Sequence, residues 1–597
     1  MSNPNKYLPK GMSHLLGEKF KIFSSALAEY PWIVLFGLTL LCMYPFAVTT
    51  LLNMAAVFYG SGGVDFNARS SLYYDLFIRI IVSFVYNLIF FTLFVISLSE
   101  LKLKMVRSTG LIVLWFYLVV FTIGSVLHFC LYRQVIGVSS IYAILDTNIH
   151  EGLEFAQSVI RADLLFLSFL SGLPLFFGAS RFLSHRSLEA GCNHVVSYAS
   201  VTIVCLLGYV GLKKEFLQEN NPVLFAIGSI GQSIAEKAAV RALSSSAPPN
   251  INVTLRDKNE GPITHILVIG ESTTRRHMSL YGYGRDTTPR LSQLAMEKQI
   301  EIAQDACSSR GATLQQFKEL LTFATREDHR ALFTGPNLVQ VMKSAGFHSY
   351  WISNQQLVGG LNTGSDNWPA VFAQAADVQT FINKRGLWGG ATTTRALTLD
   401  TDLLGPIREA LSDKSARRFI IVHLLGSHMN YELRYPPGFT EFSGLQGVDP
   451  DFISKNPSPS EIKAYNSYDT AVLYNDAFMS ELIREAAQLN RVTLTYLSDH
   501  GESLGETSDI LGHIDGPAPR QVYEIPLLFF FSDAIKQELG SRMLTLRRNL
   551  GRPFQSDSLI NTLLDIYGLE TPWKREKASL LSPSYETGRR YCDTLGR

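Results

Sequence analysis

Three residues with metal-binding side chains lie close together between Val492 and Asp515. Asp499 and His500 directly follow a short run of apolar and β-branched residues, and His513 lies further on in a glycine-flanked loop. Zinc accepts carboxylate oxygen and imidazole nitrogen in one site, so the stretch is consistent with half of a zinc site. The structural alternative is a capping aspartate followed by two surface histidines.

A carboxylate and a hydroxyl elsewhere in the chain could complete such a site. Glu271 follows the apolar run Ile263 to Ile269, and Thr313 stands between a loop of small residues and a helical pattern. A hydroxyl at a helix N-terminus lies at the positive end of the helix dipole, and a metal ion lowers its pKa further. Thr313 is therefore a candidate nucleophile. The alternatives are an N-cap role for Thr313, a turn-capping role for Glu271, and a nucleophile among Ser272, Thr273 and Thr274.

Another histidine, His428, follows a third apolar run, Phe419 to Leu424. An imidazole at this position could donate to phosphoryl oxygens or protonate a leaving group. We expect His428 to lie close to His513. His423, inside the apolar run, is expected to be a core residue.

The apolar runs before these residues alternate with helical patterns from residue 261 to residue 597. Such alternation predicts an α/β domain with a mostly parallel sheet covered by helices. Ligands bind at the carboxyl edge of such sheets, which is where the candidate residues are expected. The strand-like runs are Ile263–Ile269, Phe347–Ile352, Phe419–Leu424, Val492–Leu497 and Ile525–Phe531, and the helical patterns are Leu291–Lys298, Leu314–Ala324, Ala471–Leu489 and Asp557–Leu569.

Residues 1–212 are predicted to form a transmembrane domain of five helices. Five apolar segments are long enough to cross a hydrocarbon core of roughly 30 Å. Basic residues lie beside them in the loops that share one side, so that side is expected to be cytoplasmic and the rest of the chain exported. The segments are about Trp32–Leu52, Leu76–Leu98, Leu111–Leu131, Asp163–Ser180 and Val195–Leu212, and the basic residues are Lys6, Lys10, Lys19, Lys21, Lys102, Lys104, Arg107, Arg181 and Arg186.

Two segments outside these spans have patterns of their own. The loop 132–161 has apolar residues at helical spacing among acidic ones, which favours an amphipathic helix at the outer membrane surface or a helix packed between spans. Residues 213–260 are predicted to form a bridging helix and a linker, with the helix over Leu224 to Leu243 and a breaker-rich stretch at Ser244 to Asn250.

The composition excludes some classes of protein. A net charge of +1 gives no sign of a nucleic-acid partner. Of the six cysteines, only Cys307 and Cys592 lie in the exported part. We therefore expect its apolar core, rather than a disulfide framework, to stabilise this domain.

Five motifs carry a family resemblance: GESTTRRHMSLYGYGRDTTP, the Ser-Arg-Gly-Ala-Thr loop, HLLGSHMNYELRYPP, YNSYDTAVLYND, and SDHGESLGE with its downstream histidine. Together they resemble the lipopolysaccharide phosphoethanolamine transferases of the alkaline phosphatase and sulfatase superfamily, which include the lipid A enzymes behind polymyxin resistance. The resemblance covers nearly the whole chain. Ser309–Arg310 before Thr313, LTFA at 321–324 and WISNQQ at 351–356 look most like the branch that modifies core heptose.

The resemblance implies a zinc site made by Glu271, Thr313, Asp499 and His500, with Thr313 also the nucleophile, and leaves room for a second zinc ion. It implies transfer of phosphoethanolamine from phosphatidylethanolamine to lipopolysaccharide, at a core sugar or lipid A, through a covalent threonine intermediate with release of diacylglycerol. The setting would be the periplasmic face of a Gram-negative inner membrane, and the protein a monomer. The residues implied to contact substrate are His428, His513, Glu502, Asn354, Thr147 and Glu151.

Two departures from the family pattern stand out. The chain lacks the cysteines that form several disulfides in the lipid A enzymes, and it has Ala143 where they have an asparagine four residues before the position of Thr147. Three alternatives stay open: a phosphoglycerol transferase, a phosphodiesterase of the same superfamily, and a membrane scaffold without chemistry.

Overall fold

The chain divides into two compact units, and each is considered by itself. The computed structural model describes residues 80–94, 104–132, 194–214 and 221–245, a few isolated positions among them, and then residues 251–256, 261–355, 368–383, 398–508 and 510–595. The candidate residues Thr147 and Glu151 lie outside the described residues.

The described part of the chain before residue 246 consists of apolar helices: α1 Ile80–Phe94, α2 Lys104–Tyr132, α3 His194–Lys213 and α4 Pro222–Ser245. Within the residues described, one segment, Ile112–Tyr132, is long and apolar enough by length and composition to cross a membrane. Helices α2 and α3 lie where the third and fifth spans are predicted. The predicted first and fourth spans lie largely outside the described residues, so five spans remain a prediction.

The second unit is built on a seven-stranded sheet with the strand order β3-β11-β8-β2-β7-β5-β6. The central strand β2 pairs in parallel with both β7 and β8. Strand β11 runs antiparallel to both of its neighbours, so it alone is reversed within this sheet. The mostly parallel α/β sheet predicted from the sequence is confirmed, with β11 as the exception.

The strands are β1 Thr254–Leu255, β2 Ile263–Gly270, β3 Ile300–Ile302, β4 Ala306–Cys307, β5 His348–Ser353, β6 Val378–Phe381, β7 Arg417–His423, β8 Val492–Ser498, β9 Ser503–Leu504, β10 Leu511–Gly512, β11 Leu527–Phe531, β12 Phe554–Gln555 and β13 Leu569–Glu570. The helices are α5 Pro289–Met296, α6 Thr313–Leu320, α7 Arg330–Thr334, α8 Leu338–Ser344, α9 Trp368–Gln374, α10 Leu404–Ser412, α11 Pro450–Ser454, α12 Pro459–Ala486, α13 Asp533–Leu539, α14 Ser541–Leu550 and α15 Leu559–Ile566.

Apolar cores lie on both faces of the sheet. All eight residues of β2 are buried, which is the pattern of a central strand covered on both sides. Because successive side chains of a strand point to opposite faces, Leu267 packs into one core while Ile266 and Val268 pack into the other. The first core includes residues of α6, α8 and α15, and the second includes residues of α10 and α12. The two cores cover both faces of the sheet whose carboxyl edge carries the candidate residues.

Candidate metal centre

The predicted metal-binding residues meet at the carboxyl edge of the sheet. Gly270 at the end of β2 and Ser498 at the end of β8 are partners in the parallel pairing. Because the chain leaves both strands at the same level, Glu271 and Asp499 come together, and both are buried. Ser272 turns the chain with φ 56°, and its N–H donates to Asp499 Oδ1 at 3.2 Å. A serine in this left-handed region costs free energy, as is common at functional sites.

Thr313 is the first residue of α6, and its hydroxyl faces the buried acids. Ala312 occupies the N-cap position, so the N-cap alternative for Thr313 is wrong. The Thr313 Oγ1 atom lies 3.3 and 3.2 Å from the two carboxylate oxygens of Glu271. It lies 3.2 Å from His500 Nε2. A hydroxyl at a helix N-terminus therefore sits within reach of both a carboxylate and an imidazole.

The loop before Thr313 is held by the side chain of Gln316. Its Oε1 accepts hydrogen bonds from the Ser309 hydroxyl at 2.9 Å and from the Arg310 N–H at 3.0 Å. The Ser308 hydroxyl lies 2.7 Å from the carbonyl oxygen of Asp499. These contacts fix the nucleophile loop, residues 308–312, against the end of β8.

His500 is oriented by a hydrogen bond to its neighbour. Its Nδ1 lies 2.8 Å from the carbonyl oxygen of Gly501, and a carbonyl only accepts, so Nδ1 carries the hydrogen. The Nε2 atom points to the site, 3.2 Å from Glu271 Oε1 and 3.5 Å from Asp499 Oδ2. When His500 is neutral, its Nε2 lone pair is therefore available to a cation.

One buried oxygen at the centre has no hydrogen-bond donor. Asp499 Oδ1 accepts from the N–H groups of Ser272 and His500, at 3.2 and 2.7 Å. Asp499 Oδ2 is buried and accepts no hydrogen bond from the residues that the structure describes, and His500 Nε2 lies 3.5 Å from it. An unpaired buried carboxylate oxygen is costly unless a proton or a cation pairs with it. Two carboxylates, an imidazole and a hydroxyl within a few ångströms fit the donor set of a zinc ion.

The charged side chains at this centre shift one another's pKa values. Burial raises the pKa of Glu271, but the hydrogen bond and positive charge of His500 hold it well below its usual range. Burial, together with the charge of Glu271, raises the pKa of Asp499 to about 7. Burial disfavours protonation of His500, yet Asp499 and Glu271 raise its pKa to about 10. Without a cation the cluster therefore binds protons, and a divalent ion would compete with them for the same atoms.

His513 lies against His500 and adds a further nitrogen. The two rings are 3.9 Å apart between centroids, and one donor atom each from Glu271, His500 and His513 lie within 4.8 Å of one another. His513 Nδ1 is 2.7 Å from Glu502 Oε2. Glu502 Oε1 accepts from the Tyr431 hydroxyl at 2.7 Å. A carboxylate that fixes Nδ1 leaves Nε2 free for a metal or a substrate oxygen, as is usual for metal-binding histidines.

The other predicted contact residues divide into two groups. His428 is half-buried beside the centre, where its charge contributes to lowering the pKa of Glu271. Asn354 is buried behind the centre, and its Nδ2 donates to Asp400 Oδ1 at 2.8 Å. Asp400 in turn accepts the N–H of Gly426 at 2.8 Å. Asn354 therefore supports the loop that carries His428.

His423 is a core residue, as predicted. Its ring is buried and lies against Phe317, at 4.7 Å between centroids, and Trp351. Burial lowers its pKa to about 4, so the ring stays neutral.

Two positioning residues, Gln355 and Asp515, are not among the predicted site residues. Gln355 Nε2 donates to Glu271 Oε2 at 3.2 Å and to the Leu424 carbonyl at 2.8 Å. Asp515 accepts from the Gly311 N–H and from Arg310 Nη1, each at 3.1 Å, and so ties the nucleophile loop to the loop that carries His513. The nearest signal for Gln355 is its place directly after Asn354, where a strand ends.

The two cysteines of the second unit form a disulfide, Cys307–Cys592, across a sequence separation of 285 residues. The expectation that the apolar core alone stabilises this domain is therefore incomplete. Cys307 directly precedes the nucleophile loop, so the bond anchors that loop to the segment Tyr591–Thr594. A disulfide across so long a loop removes much entropy from the unfolded chain.

The fold and the site define a domain of the alkaline phosphatase superfamily. The pattern of the sulfatase family matches residues 264–569, and the chain belongs to that family. Phosphoethanolamine transferase EptC of Escherichia coli (strain K12) is 27% identical over 532 residues, which are 85% of this chain and 87% of the relative. The family resemblance seen in the sequence motifs is thus confirmed.

Two solved structures match the fold. The C-terminal periplasmic domain of EptC from Escherichia coli, in complex with Zn, is 32% identical with a TM-score of 0.52, and the match covers 59% of this chain and 98% of that one. The integral membrane protein lipooligosaccharide phosphoethanolamine transferase A from Neisseria meningitidis is 18% identical with a TM-score of 0.59, over 91% of this chain and 97% of that one. The second likeness concerns the fold alone.

Proposed function

We propose that this protein is a zinc-dependent phosphoethanolamine transferase of the bacterial inner membrane, which acts on lipopolysaccharide. The observation that carries the proposal is the position of the Thr313 hydroxyl, 3.2 Å from both a Glu271 oxygen and His500 Nε2 at the N-terminus of α6. The relatives named above are phosphoethanolamine transferases, and the solved domain of one of them is a complex with Zn. The residues proposed to hold zinc are Glu271, Thr313, Asp499 and His500.

Zinc bound by these residues would lower the pKa of the threonine hydroxyl and offset the negative charge of a phosphodiester. The Thr313 hydroxyl passes its proton to a neighbouring base of the site, and its oxygen bonds to the phosphorus of phosphatidylethanolamine. The bond from phosphorus to the diacylglycerol oxygen breaks, and that oxygen takes up a proton as diacylglycerol leaves. His428 and His513 are the imidazoles placed to donate to phosphoryl oxygens and to supply this proton.

A phosphoethanolamine group then remains on Thr313 until an acceptor oxygen of lipopolysaccharide bonds to phosphorus and releases the threonine. Because the two half-reactions are separate, one site serves a lipid donor and a lipid acceptor in turn. We propose core heptose as the acceptor, since the motifs LTFA and WISNQQ resemble that branch of the family. Thr147 and Glu151 are proposed to contact the donor head group.

Glu502 is proposed to act through His513. Both of its oxygens already accept hydrogen bonds, from Tyr431 and His513, and the side chain is fully buried. A contact with the ethanolamine amine would compete with those bonds. Its hydrogen bonds therefore favour a role in orienting His513 over a direct role in binding the amine.

Mass spectrometry on the full chain, purified in detergent with zinc and incubated with phosphatidylethanolamine, tests the proposal. We expect a phosphoethanolamine adduct on the peptide that contains Thr313, and release of diacylglycerol. Thr313→Ala should abolish both, whereas the matched control Thr334→Ala should not, because within the described part of the chain that exposed hydroxyl bonds to the Arg330 carbonyl alone, at 2.9 Å.

The same assay separates the alternatives. An adduct that forms with phosphatidylglycerol but not with phosphatidylethanolamine would identify a phosphoglycerol transferase. Release of diacylglycerol and free phosphoethanolamine with no adduct and no acceptor product would indicate a phosphodiesterase. Neither adduct nor diacylglycerol with either lipid would contradict the enzyme proposal.

A further inference from the structure

A buried cluster of four charged residues lies behind the metal centre and takes no direct part in it. His277, in the turn Arg275–His277 that follows the Glu271 loop, has its Nδ1 2.6 Å from Asp469 Oδ1 and its Nε2 2.8 Å from Glu506 Oε1. Arg285 Nη1 lies 2.7 Å from Asp469 Oδ2. All four side chains are buried, so two cations face two carboxylates away from water.

The two contacts of His277 require that its ring is doubly protonated. An ionised carboxylate only accepts hydrogen bonds, and a neutral imidazole has a single N–H. Bonds to both Asp469 and Glu506 therefore need the imidazolium form. Burial disfavours that form, but the charge of Asp469 and the hydrogen bonds that the ring donates to both acids raise the pKa of His277 to about 9.

Three tyrosines enclose the His277 ring on its remaining sides. The ring centroids of Tyr283, Tyr465 and Tyr468 lie 4.9, 4.8 and 5.0 Å from that of His277. The face of an aromatic ring at this range stabilises a desolvated cation, and the edge-on contact with Tyr468 excludes water from the histidine ring. The Tyr283 hydroxyl also donates to Asp469 Oδ2 at 2.9 Å.

This cluster reaches the metal centre by two short routes. On the first, the Tyr468 hydroxyl donates to the Ser272 carbonyl at 2.7 Å and accepts the Thr274 N–H at 2.9 Å, so it holds the turn that follows Glu271. On the second, Glu506 Oε2 accepts the Leu504 N–H at 2.9 Å. Leu504 belongs to β9, which pairs with β10 immediately before His513.

We propose that His277 is a positioning residue, held as an imidazolium, whose buried charge keeps the Glu271 turn and the β9–β10 hairpin in the register that the metal centre requires. Among the described residues, no hydrogen bond or ring contact joins His277 to a proposed zinc ligand. It acts by joining three separate parts of the chain, namely the exit of β2, helix α12 and the hairpin. The expected change in transfer activity rests on the proposed function, whereas the expected change in zinc affinity does not.

Two variants test the role of the charge in the full zinc-loaded chain. His277→Gln removes the positive charge and leaves one buried carboxylate without a donor. The double variant His277→Gln with Glu506→Gln removes one charge of each sign and allows the two amides to bond. The half-buried histidine His348, at the start of β5 and thus at the opposite end of its strand from Asn354, provides the control His348→Gln.

We expect His277→Gln to weaken zinc binding at least tenfold, measured by competition with a chelator, and to lower kcat at least tenfold with KM for phosphatidylethanolamine little changed. The double variant should recover most of both losses, and His348→Gln should match the wild type. Zinc affinity can be measured without substrate. If the wild-type protein binds zinc but shows no transferase activity, the result contradicts the proposed function rather than this inference.

Wild-type zinc affinity and kcat in folded His277→Gln would overturn the proposal. So would a double variant no better than the single one, because packing rather than charge would then explain the loss. If His277→Gln alone does not fold, the double variant decides: folding with restored zinc binding supports the charge role, and failure to fold contradicts it.

Discussion

Replacing Gly426 with alanine would move Glu271 directly. Gly426 has φ +50°, and a Cβ added there would lie 2.6 Å from the Glu271 carbonyl oxygen and 2.8 Å from its nitrogen. Both neighbours are backbone atoms, so no side-chain rotation relieves the contact. The adjacent Ser427 N–H donates to the same carbonyl at 2.9 Å, which ties the two segments together.

The size of the effect follows from these distances. Ordinary contact begins near 3.4 Å, so the two backbones must separate by about 0.8 Å or distort by an equivalent amount. Left-handed backbone costs alanine roughly 1 kcal/mol, and the overlap adds roughly 1–3 kcal/mol to the loss in unfolding free energy. A displacement near 1 Å at a reacting centre costs on the order of a hundredfold in rate. We therefore expect kcat to fall ten- to hundredfold and zinc affinity to fall about tenfold.

Gly438→Ala is the matched control. Gly438 also has positive φ, at +88°, but no atom lies within 4 Å of the Cβ position. This variant should lose roughly 1 kcal/mol of stability and keep its zinc affinity and kcat. The assays are thermal unfolding, chelator competition and steady-state transfer on both variants. If Gly426→Ala keeps zinc affinity and kcat within twofold of Gly438→Ala, this contact does not set the position of Glu271.

Three further predictions follow from other contacts. Glu502→Gln should lower transfer from ethanolamine and glycerol donors equally, because it disturbs His513; a loss confined to ethanolamine would restore an amine-binding role for Glu502. Cys592→Ser should lower unfolding free energy by about 6 kcal/mol in the chain-entropy account, since the closed loop spans 285 residues; an unchanged thermal midpoint would contradict this. His277 has a pKa of about 9, above its ordinary 6.5, so its stabilisation of the fold is complete below about pH 6.5 and lost as pH rises through 9. That shift corresponds to roughly 3 kcal/mol, and the difference in thermal midpoint between wild type and His277→Gln should shrink over that range. A difference that stays constant with pH would exclude an imidazolium.

The strands that position the site could be predicted because they are continuous apolar runs. Val492 to Leu497 was expected as a strand, and β8 is Val492–Ser498. The direction of β11 could not be predicted from its own residues, since it depends on the path of the chain between distant strands. Helix α12 begins at Pro459, twelve residues before the predicted start, because its polar first turns hide the periodicity although Ser458 and Glu461 form a capping box.

The site could be predicted only in part, for a related reason. Glu271, Asp499 and His500 follow strand ends, and strand ends of a parallel sheet meet at one edge. Gln355 contacts Glu271, 84 positions away, and Asp515 contacts Gly311, 204 positions away. A local sequence pattern cannot predict contacts over such separations. The His277 cluster was missed for the same reason, because its partners Asp469 and Glu506 come from elements far along the chain.

The disulfide between Cys307 and Cys592 also sets when, during synthesis, the nucleophile loop can be completed. Arg326 donates to the Ser309 carbonyl, and its guanidinium carbon lies 3.5 Å from the centre of the Tyr591 ring. This second contact also requires the C-terminal segment that carries Cys592. At typical elongation rates this segment follows Thr313 by on the order of tens of seconds. A growing chain therefore contains every candidate zinc ligand before the disulfide can anchor the nucleophile loop.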